Sequence, residues 1–341
     1  MRNRLIGLAA LIVLLPAADF LGCTLLQYRM RAEYAAWVDT ITKQGWSVRT
    51  EAVIEGGFPT GATLTITGLD LSGGHAMLPG GLDWRADRVV LSLGLLHFWR
   101  LTVEPQGQQI VRVAGMQTVT CSADSLVASV PLGRGRADSI ALDAEGLTAG
   151  ALGPKERQDF HIDHLSLRLM AKLKGAARID ASADFDASGV ELPDDGRWPL
   201  GALVKHASAD ISLASPALSG VAAADQARAW HDWGGVLQVQ NLVLQWGPLD
   251  LQAQAHMGLD GALQPAGEGH AAIKGWAETV DALAAGGVMP DGMAQTVKMV
   301  MELTAKAPQD ALNVPFKVKD STLSVGKIPL VKLHFVDWST V

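Results

Sequence analysis

The chemistry this chain could perform is sought first among its histidines, cysteines and paired carboxylates. His161-Ile-Asp-His164 brings two imidazoles and a carboxylate within four residues, a set that binds a divalent ion when its donors converge. The surrounding pattern is that of a strand, and residues three apart on a strand point to opposite faces. His161 and His164 therefore cannot share an ion and read as surface histidines. Cys23 and Cys121 are the two cysteines; one lies in an N-terminal apolar segment and the other in a strand-like run, which suits neither a disulfide between them nor a metal cluster. Asp194-Asp195 falls in the turn-rich stretch Pro193-Asp-Asp-Gly-Arg-Trp-Pro199, where Asp caps backbone groups. No serine, cysteine or threonine sits in a nucleophile elbow or beside a base, and no phosphate-cradling loop is present. The sequence assigns no catalytic residue, metal or cofactor, and the expected function is non-enzymatic; an envelope hydrolase without a readable motif is the remotest reading.

What remains is the chemistry of apolar surfaces. Leu165, Leu167, Leu169, Ala171 and Leu173 alternate with Ser166, Arg168, Met170, Lys172 and Lys174; after a Gly175-Ala turn, Ile179, Ala181, Ala183, Phe185 and Ala187 alternate with Asp180, Ser182, Asp184 and Asp186. Period two is the mark of strands with one buried face, and here the polar faces set a basic strand against an acidic one. Leu249, Leu251, Ala253, Ala255, Met257 and Leu259 repeat the pattern. Leu165, Leu167, Leu169, Leu249, Leu251 and Ala253 are the candidate lining of an apolar groove. Trp230 and Trp233, one helical turn apart, read as core packing, with a membrane-interface contact as the alternative. Gly57-Phe58-Pro59 reads as a structural landmark in which Gly permits an unusual backbone angle, Phe packs and Pro ends the strand ladder.

These residues need elements to carry them. A chain of 341 residues, 48% hydrophobic, can bury a large core. A net charge of −7 with singly scattered basic residues excludes a nucleic-acid partner, because no basic stripe is present to meet phosphates. Strand-like runs recur between turn signals about every ten residues, as in an all-β, mainly antiparallel body. Trp46, Val48, Thr50, Ala52 and Ile54 are expected on one face of a strand, and separate strands are expected at 101–104 and 109–114. Val280, Leu283 and Ala284, then Met293, Val297, Val300, Met301 and Thr304, flank a Gly286-to-Gly292 breaker and predict two short helices laid on the sheet.

Arg2 and Arg4 precede an apolar segment, Leu5 to Leu26, interrupted by Pro16 and Asp19 and about long enough for one membrane crossing of roughly 20 residues. A cleaved signal peptide would need small residues before its cut, which Pro16-Ala17-Ala18 offers poorly, and a lipid-modified Cys23 would follow the bulky Phe20-Leu21. An uncleaved anchor is favoured, because Met30, Tyr34, Trp37, Val38 and Ile41 continue the helical spacing, and the early arginines place the N-terminus in the cytoplasm. The expected fold class is mainly β: an N-terminal transmembrane helix, then an elongated, mostly antiparallel β-sheet body, groove or sandwich, with short helical inserts. The expected segments are a signal anchor at 1–26, a juxtamembrane helix at 27–45, a β region at 46–192, and a second β region at 193–341 with its helical insert at 277–305.

Trp46, Gly57-Phe58-Pro59, the Trp84-Arg-Ala-Asp-Arg-Val-Val strand, the Leu259-Asp-Gly turn, the helical insert and the closing Val318-Lys-Asp-Ser-Thr-Leu-Ser-Val-Gly-Lys-Ile-Pro-Leu330 together resemble the bacterial family called domain of unknown function 2125. The closing strand pair also resembles the repeated hairpins of AsmA-like envelope proteins, although Asp320-Ser321 stands where those have Asp-Gly. The first resemblance implies a membrane-anchored protein facing the envelope, with its single span in the inner membrane and its body in the periplasm. The second implies a β groove that handles lipid. The expected partners are the inner membrane and a phospholipid or other envelope lipid. In the alternative, closed sheets bind another envelope protein through edge strands.

Overall fold

The computed structural model describes residues 2–74, 81–113, 118–132, 138–151, 158–174, 178–193, 197–216, 223–304, 311–325 and 328–338, and for residues 2–21 the backbone alone. The chain forms two compact units, one of residues 1–136 with 150–157, the other of residues 137–149 with 158–341. Asp194-Asp195 and the Gly175-Ala turn lie outside the described residues.

The first unit begins with helix α1 (Arg2–Lys43). It stops at Gly45, whose φ is 87°: the Gly45 N–H donates to the Thr42 carbonyl and the Trp46 N–H to the Ile41 carbonyl, both at 3.0 Å, so the last orphan carbonyls are satisfied as the chain turns away. Strands β1 (Ser47–Arg49) and β2 (Ala52–Gly56) follow one another along β3 (Gly61–Gly73), which pairs with β4 (Leu82–Gly94), and β4 with β5 (Arg100–Val113). Strands β6 (Val119–Ser122) and β7 (Ser125–Pro131) follow one another along β5, and these pairings are antiparallel. Leu26, Met30 and Tyr34, one turn apart on α1, cover Ala62, Leu64, Ile66, Leu91 and Leu93. That stripe dries the sheet: Leu64 is 1% exposed.

The alternation along these strands is interrupted in a way that overturns two expectations. On β3 the buried residues run Ala62, Leu64, Ile66 and then Leu69, because Gly68 takes a left-handed φ of 59°. A β-carbon there would be strained by that backbone angle and would displace the Glu51 side chain, whose Cδ lies at 2.5 Å, so the position favours glycine. Gly107 on β5 repeats the device: its φ is 76°, and Asp87, whose carboxylate accepts the Gln108 N–H at 2.8 Å, fills the space beside it. A bulge at this point shifts the β4–β5 register between Ala86 and Arg88 and re-aims the strand without ending it. Hence β5 is one strand where two were expected. The same break, at Thr50-Glu51, means that Trp46 to Ile54 do not keep one face: Val53 turns onto the core and Ile54 is exposed. Beyond the bulge Gln109 is buried, its oxygen accepting the Trp84 indole N–H at 3.1 Å.

The second unit holds β8 (Asp138–Ala151, except its last two residues), β9 (Gln158–Lys174), β10 (Arg178–Glu191), β11 (Leu203–Pro216), helix α2 (Ala223–Asp232), β12 (Leu237–Trp246), β13 (Leu249–Leu259), β14 (Pro265–Lys274), helices α3 (Trp276–Ala285) and α4 (Asp291–Thr304), β15 (Leu312–Lys319), β16 (Thr322–Val325) and β17 (Ile328–Lys332). From β9 to β17 each strand pairs antiparallel with the next. The Pro193 break joins β10 to β11, which pair from Arg178↔Pro216 to Glu191↔Leu203, so it lies inside this unit. The two helices of the insert form as expected. Trp276, Ala253, Ala271, Leu312 and Val314 make one buried cluster, with Ala277 and Met301 packed on it, and Val280, Ala294 and Val297 join the helices to each other. Lys298 Nζ clamps them by donating to Asp281 at 2.6 Å.

Among the described residues no helix is long and apolar enough to cross a membrane. The expected anchor at 1–26 falls mostly on residues 1–21, whose side chains lie outside the description.

Candidate functional site

The second unit carries the expected apolar face, and the strand register shows its extent. Leu165 stands opposite Ala187, and the row continues through Ala207, Leu244, Leu251 and Ile273 to Leu312. The next row runs from Leu167 through Phe185, Ala209, Leu242, Ala253 and Ala271 to Val314. Rows through Leu169 and Ala171 follow, ending at Val325 and Leu323, without a polar side chain in either. Leu249 opens a further row with Trp246 and Val204. Five of the six expected lining residues thus fall in two adjacent rows or the one beside them, and Leu249 borders them. Keeping these rows in step requires a correction within β12, where an irregularity at Gln240-Asn241 lets Val239 and Leu242 both face inward.

The face is unevenly covered. Over β13–β15, helices α3 and α4 bury it. Over β9–β11 the cover is partial: Ala187 is buried, Leu165 and Leu167 are half-buried, and Leu169 is 41% and Phe185 37% exposed; small residues, Ala181, Ala183, Ala207 and Ala209, leave room between the larger ones. Such a surface has no donor or acceptor to offer a polar ligand and can hold only an apolar guest, by dispersion and release of water.

The reverse face of the same strands is polar, with Lys172 opposite Asp180 and Arg168 opposite Asp184. A cavity of about 640 Å³ opens there, lined by Lys172, Arg178, Asp180, Trp233 and Gln238 among others. Arg178 lies over the Trp233 ring at 5.8 Å and its Nε donates to Asp180 at 2.6 Å. The two tryptophans expected as a pair separate: Trp230 donates to the Ala214 carbonyl at 2.9 Å, whereas Trp233 follows the end of α2 and is 47% exposed.

His161 sits beside Thr148 at 3.2 Å and Asp163 at 3.4 Å, while His164 stands opposite Ser188. Among the described residues no group of three or more His, Cys, Asp or Glu side chains is placed to hold a metal ion. Neither Cys23 nor Cys121 is in a disulfide, and burial pushes the Cys121 thiol above its ordinary pKa. Burial likewise raises the Tyr34 phenol, partly opposed by its hydrogen bond with Thr50. At Gly57-Phe58-Pro59 the glycine has a φ of 101° and sits where a β-carbon would strike the Thr63 nitrogen at 2.7 Å, as a landmark residue should. Phe58, expected to pack, is instead 55% exposed in the turn between β2 and β3.

Sequence reading placed Phe185 on the apolar side of its own strand but did not assign Ala207, Ala209, Leu242 and Leu244 to the face. Each has the same alternation as its neighbours; only the register, which a single strand's pattern does not contain, aligns them.

No curated protein and no solved structure matches the chain. One family model does, over residues 25–334, and its description is "Uncharacterized protein conserved in bacteria (DUF2125)". That match spans nearly all of both units, and the chain therefore belongs to the DUF2125 family.

Proposed function

We propose that the protein is a non-enzymatic component of the bacterial envelope, tethered to the inner membrane by the apolar half of α1 with its body in the periplasm, and that the open apolar face over β9–β11 holds the acyl chains of a phospholipid or other envelope lipid. One observation carries this reading: the cross-strand rows through Leu165, Leu167, Leu169 and Ala171 stay apolar over seven consecutive strands, while α3 and α4 pack on their β13–β15 end and Leu169, Ala171 and Phe185 at the other end are exposed among the described residues. Exposed apolar surface of that extent is costly unless something occupies it.

The test is lipid extraction and mass spectrometry on the full-length protein, with Leu167→Asp and Phe185→Asp as variants. A phospholipid bound in fixed ratio by the wild type and lost from both variants, with circular dichroism unchanged, is the expected result. Equal lipid content in all three folded proteins would reject the face as a lipid site and favour the alternative, a scaffold that binds a protein partner.

A further inference from the structure

The first unit has an exposed apolar surface of its own, apart from the apolar rows of the second. Three segments meet where β2, β4 and β7 end. The turn at 57–60 is tied to the 3-10 turn Leu95–His97 by the Leu95 N–H, which donates to the Thr60 carbonyl at 3.2 Å, and Leu132 is tied to Trp99 by its N–H donating to the Trp99 carbonyl at 2.6 Å. From these ties a set of large apolar side chains points outward: Leu96 is 80% exposed and Phe98 58%, beside the exposed Phe58, Trp99 and Leu132. The Trp99 ring sits edge-on to Phe98 with centroids 5.3 Å apart and tilted to His97 at 5.4 Å, so the set is a held surface rather than separate chance exposures. Surface hydrophobics scattered singly need no explanation; a contiguous aromatic cluster does.

The same segments receive α1. Cys23 donates its S–H to the Pro59 carbonyl at 3.4 Å and Gln27 Nε2 donates to the Gly56 carbonyl at 2.8 Å, while Gly22 lies against Leu95. Residues 22–27 are therefore the point at which the helix leaves the sheet. Toward its N-terminus the helix continues through residues 5–21, apolar apart from Asp19 close to the exit point, about 25 Å at roughly 1.5 Å per residue, close to the thickness of a hydrocarbon core. A helix that enters a bilayer from this point sets the loop cluster at the level of the headgroups, where Trp and other amphipathic rings collect. Arg29 and Arg100 are exposed near the same end, a sign suited to anionic lipid headgroups.

We infer that Phe58, Leu96, Phe98, Trp99 and Leu132 form a membrane-docking apron that seats the first unit in the interface of the bilayer its own helix enters. The inference rests on the proposed anchoring by α1. It assigns these loops a lipid surface as their partner, independently of whether the second unit's apolar face holds lipid.

Site-directed spin labelling of the full chain, reconstituted in vesicles of phosphatidylethanolamine and phosphatidylglycerol, separates the two ideas. In a Cys23→Ala, Cys121→Ala background checked for native circular dichroism, a nitroxide is placed in turn by Leu96→Cys, Phe98→Cys, Ile12→Cys and, on an exposed strand position of the second unit, Lys317→Cys. Docking predicts that labels at 96 and 98 collide with dissolved oxygen more, and with a water-soluble nickel chelate several-fold less, than the label at 317, while the label at 12 is deeper still. Labels at 96 and 98 as open to nickel as that at 317, with the label at 12 deep, would overturn the apron and leave the anchor standing. A label at 12 open to water would remove the anchor and the apron with it.

Discussion

The two ends of the sheet in the second unit are built from the same material and meet different fates. At β13–β15 the rows of Leu, Ala and Val lie under α3 and α4, and Leu312 and Val314 are buried. At β9–β11 the same rows continue through Leu165, Leu167 and Leu169, yet the side chains stay half-open. The strand pattern is identical, so strand pattern does not decide which face becomes core. The decision rests on whether a segment of period 3.6 follows to lie across it, as α1 does over β3 and β4 and as α3–α4 does over β13–β15. A period-two stripe thus marks a surface that must be covered, and the absence of a helix above it is what makes it a candidate for a guest.

That comparison can be broken by experiment. The largest effect is expected under the helices: Leu312→Ala should cost about 2–5 kcal/mol in urea unfolding, as large-to-small changes in packed cores do, whereas Leu169→Ala at the open end should cost less than about 1 kcal/mol. Equal costs would mean that the open end is packed after all. Next comes Gly68→Ala, where a left-handed φ and the Glu51 side chain both oppose a methyl group; a loss of about 1–3 kcal/mol is expected, and a neutral result would show that the inward face of β3 can be reset without it. The smallest effect concerns α1. Burial raises the Tyr34 phenol, so the folded state holds that proton more tightly than the unfolded chain, and the stabilisation is present below the ordinary tyrosine pKa and lost as pH rises through the raised one. A modest decline in stability above about pH 10, absent from Tyr34→Phe, checks that this helix face is as dry as that of α3–α4.

Much of this was legible in the residues. The antiparallel β architecture, the pairing of β9 with β10 and the split helical insert followed from period two, period 3.6 and the Gly286-to-Gly292 breaker, and the six residues read as one apolar surface lie on rows of one sheet face. What was not legible depends on neighbours in space. Ile54 and Val53 exchange roles because Glu51 lies over Gly68 on another strand, and β5 survives Gly107 because Asp87 accepts a bond there. Phe58 lies exposed in its turn, which its hydrophobicity alone does not foretell. The division into units near 137–157 reflects where contacts thin out, whereas the Pro- and Gly-rich stretch at 193–199 falls between two paired strands of one unit.

The glycine–carboxylate bulges have a consequence for how this chain can change in length. Gly68 on β3 lies opposite Asp87 on β4, with matched pairs on either side, Thr67↔Arg88 and Leu69↔Ala86; in the second unit Gly189 is flanked in the same manner by Ser188↔His164 and Val190↔Ile162, with Asp163 filling its space. Alternation behaves as a reading frame with two phases, and each bulge is a frameshift that adjoining strands make together. Removing Gly68 alone would set Leu69 two positions after Ile66 and restore plain alternation on β3, but would leave that half of the strand one residue out of step with β4, while removing Gly68 with Asp87 would restore their agreement and pass the mismatch to β5. Insertions and deletions in these strands are therefore tolerated in correlated sets that run across the sheet, not singly along the chain.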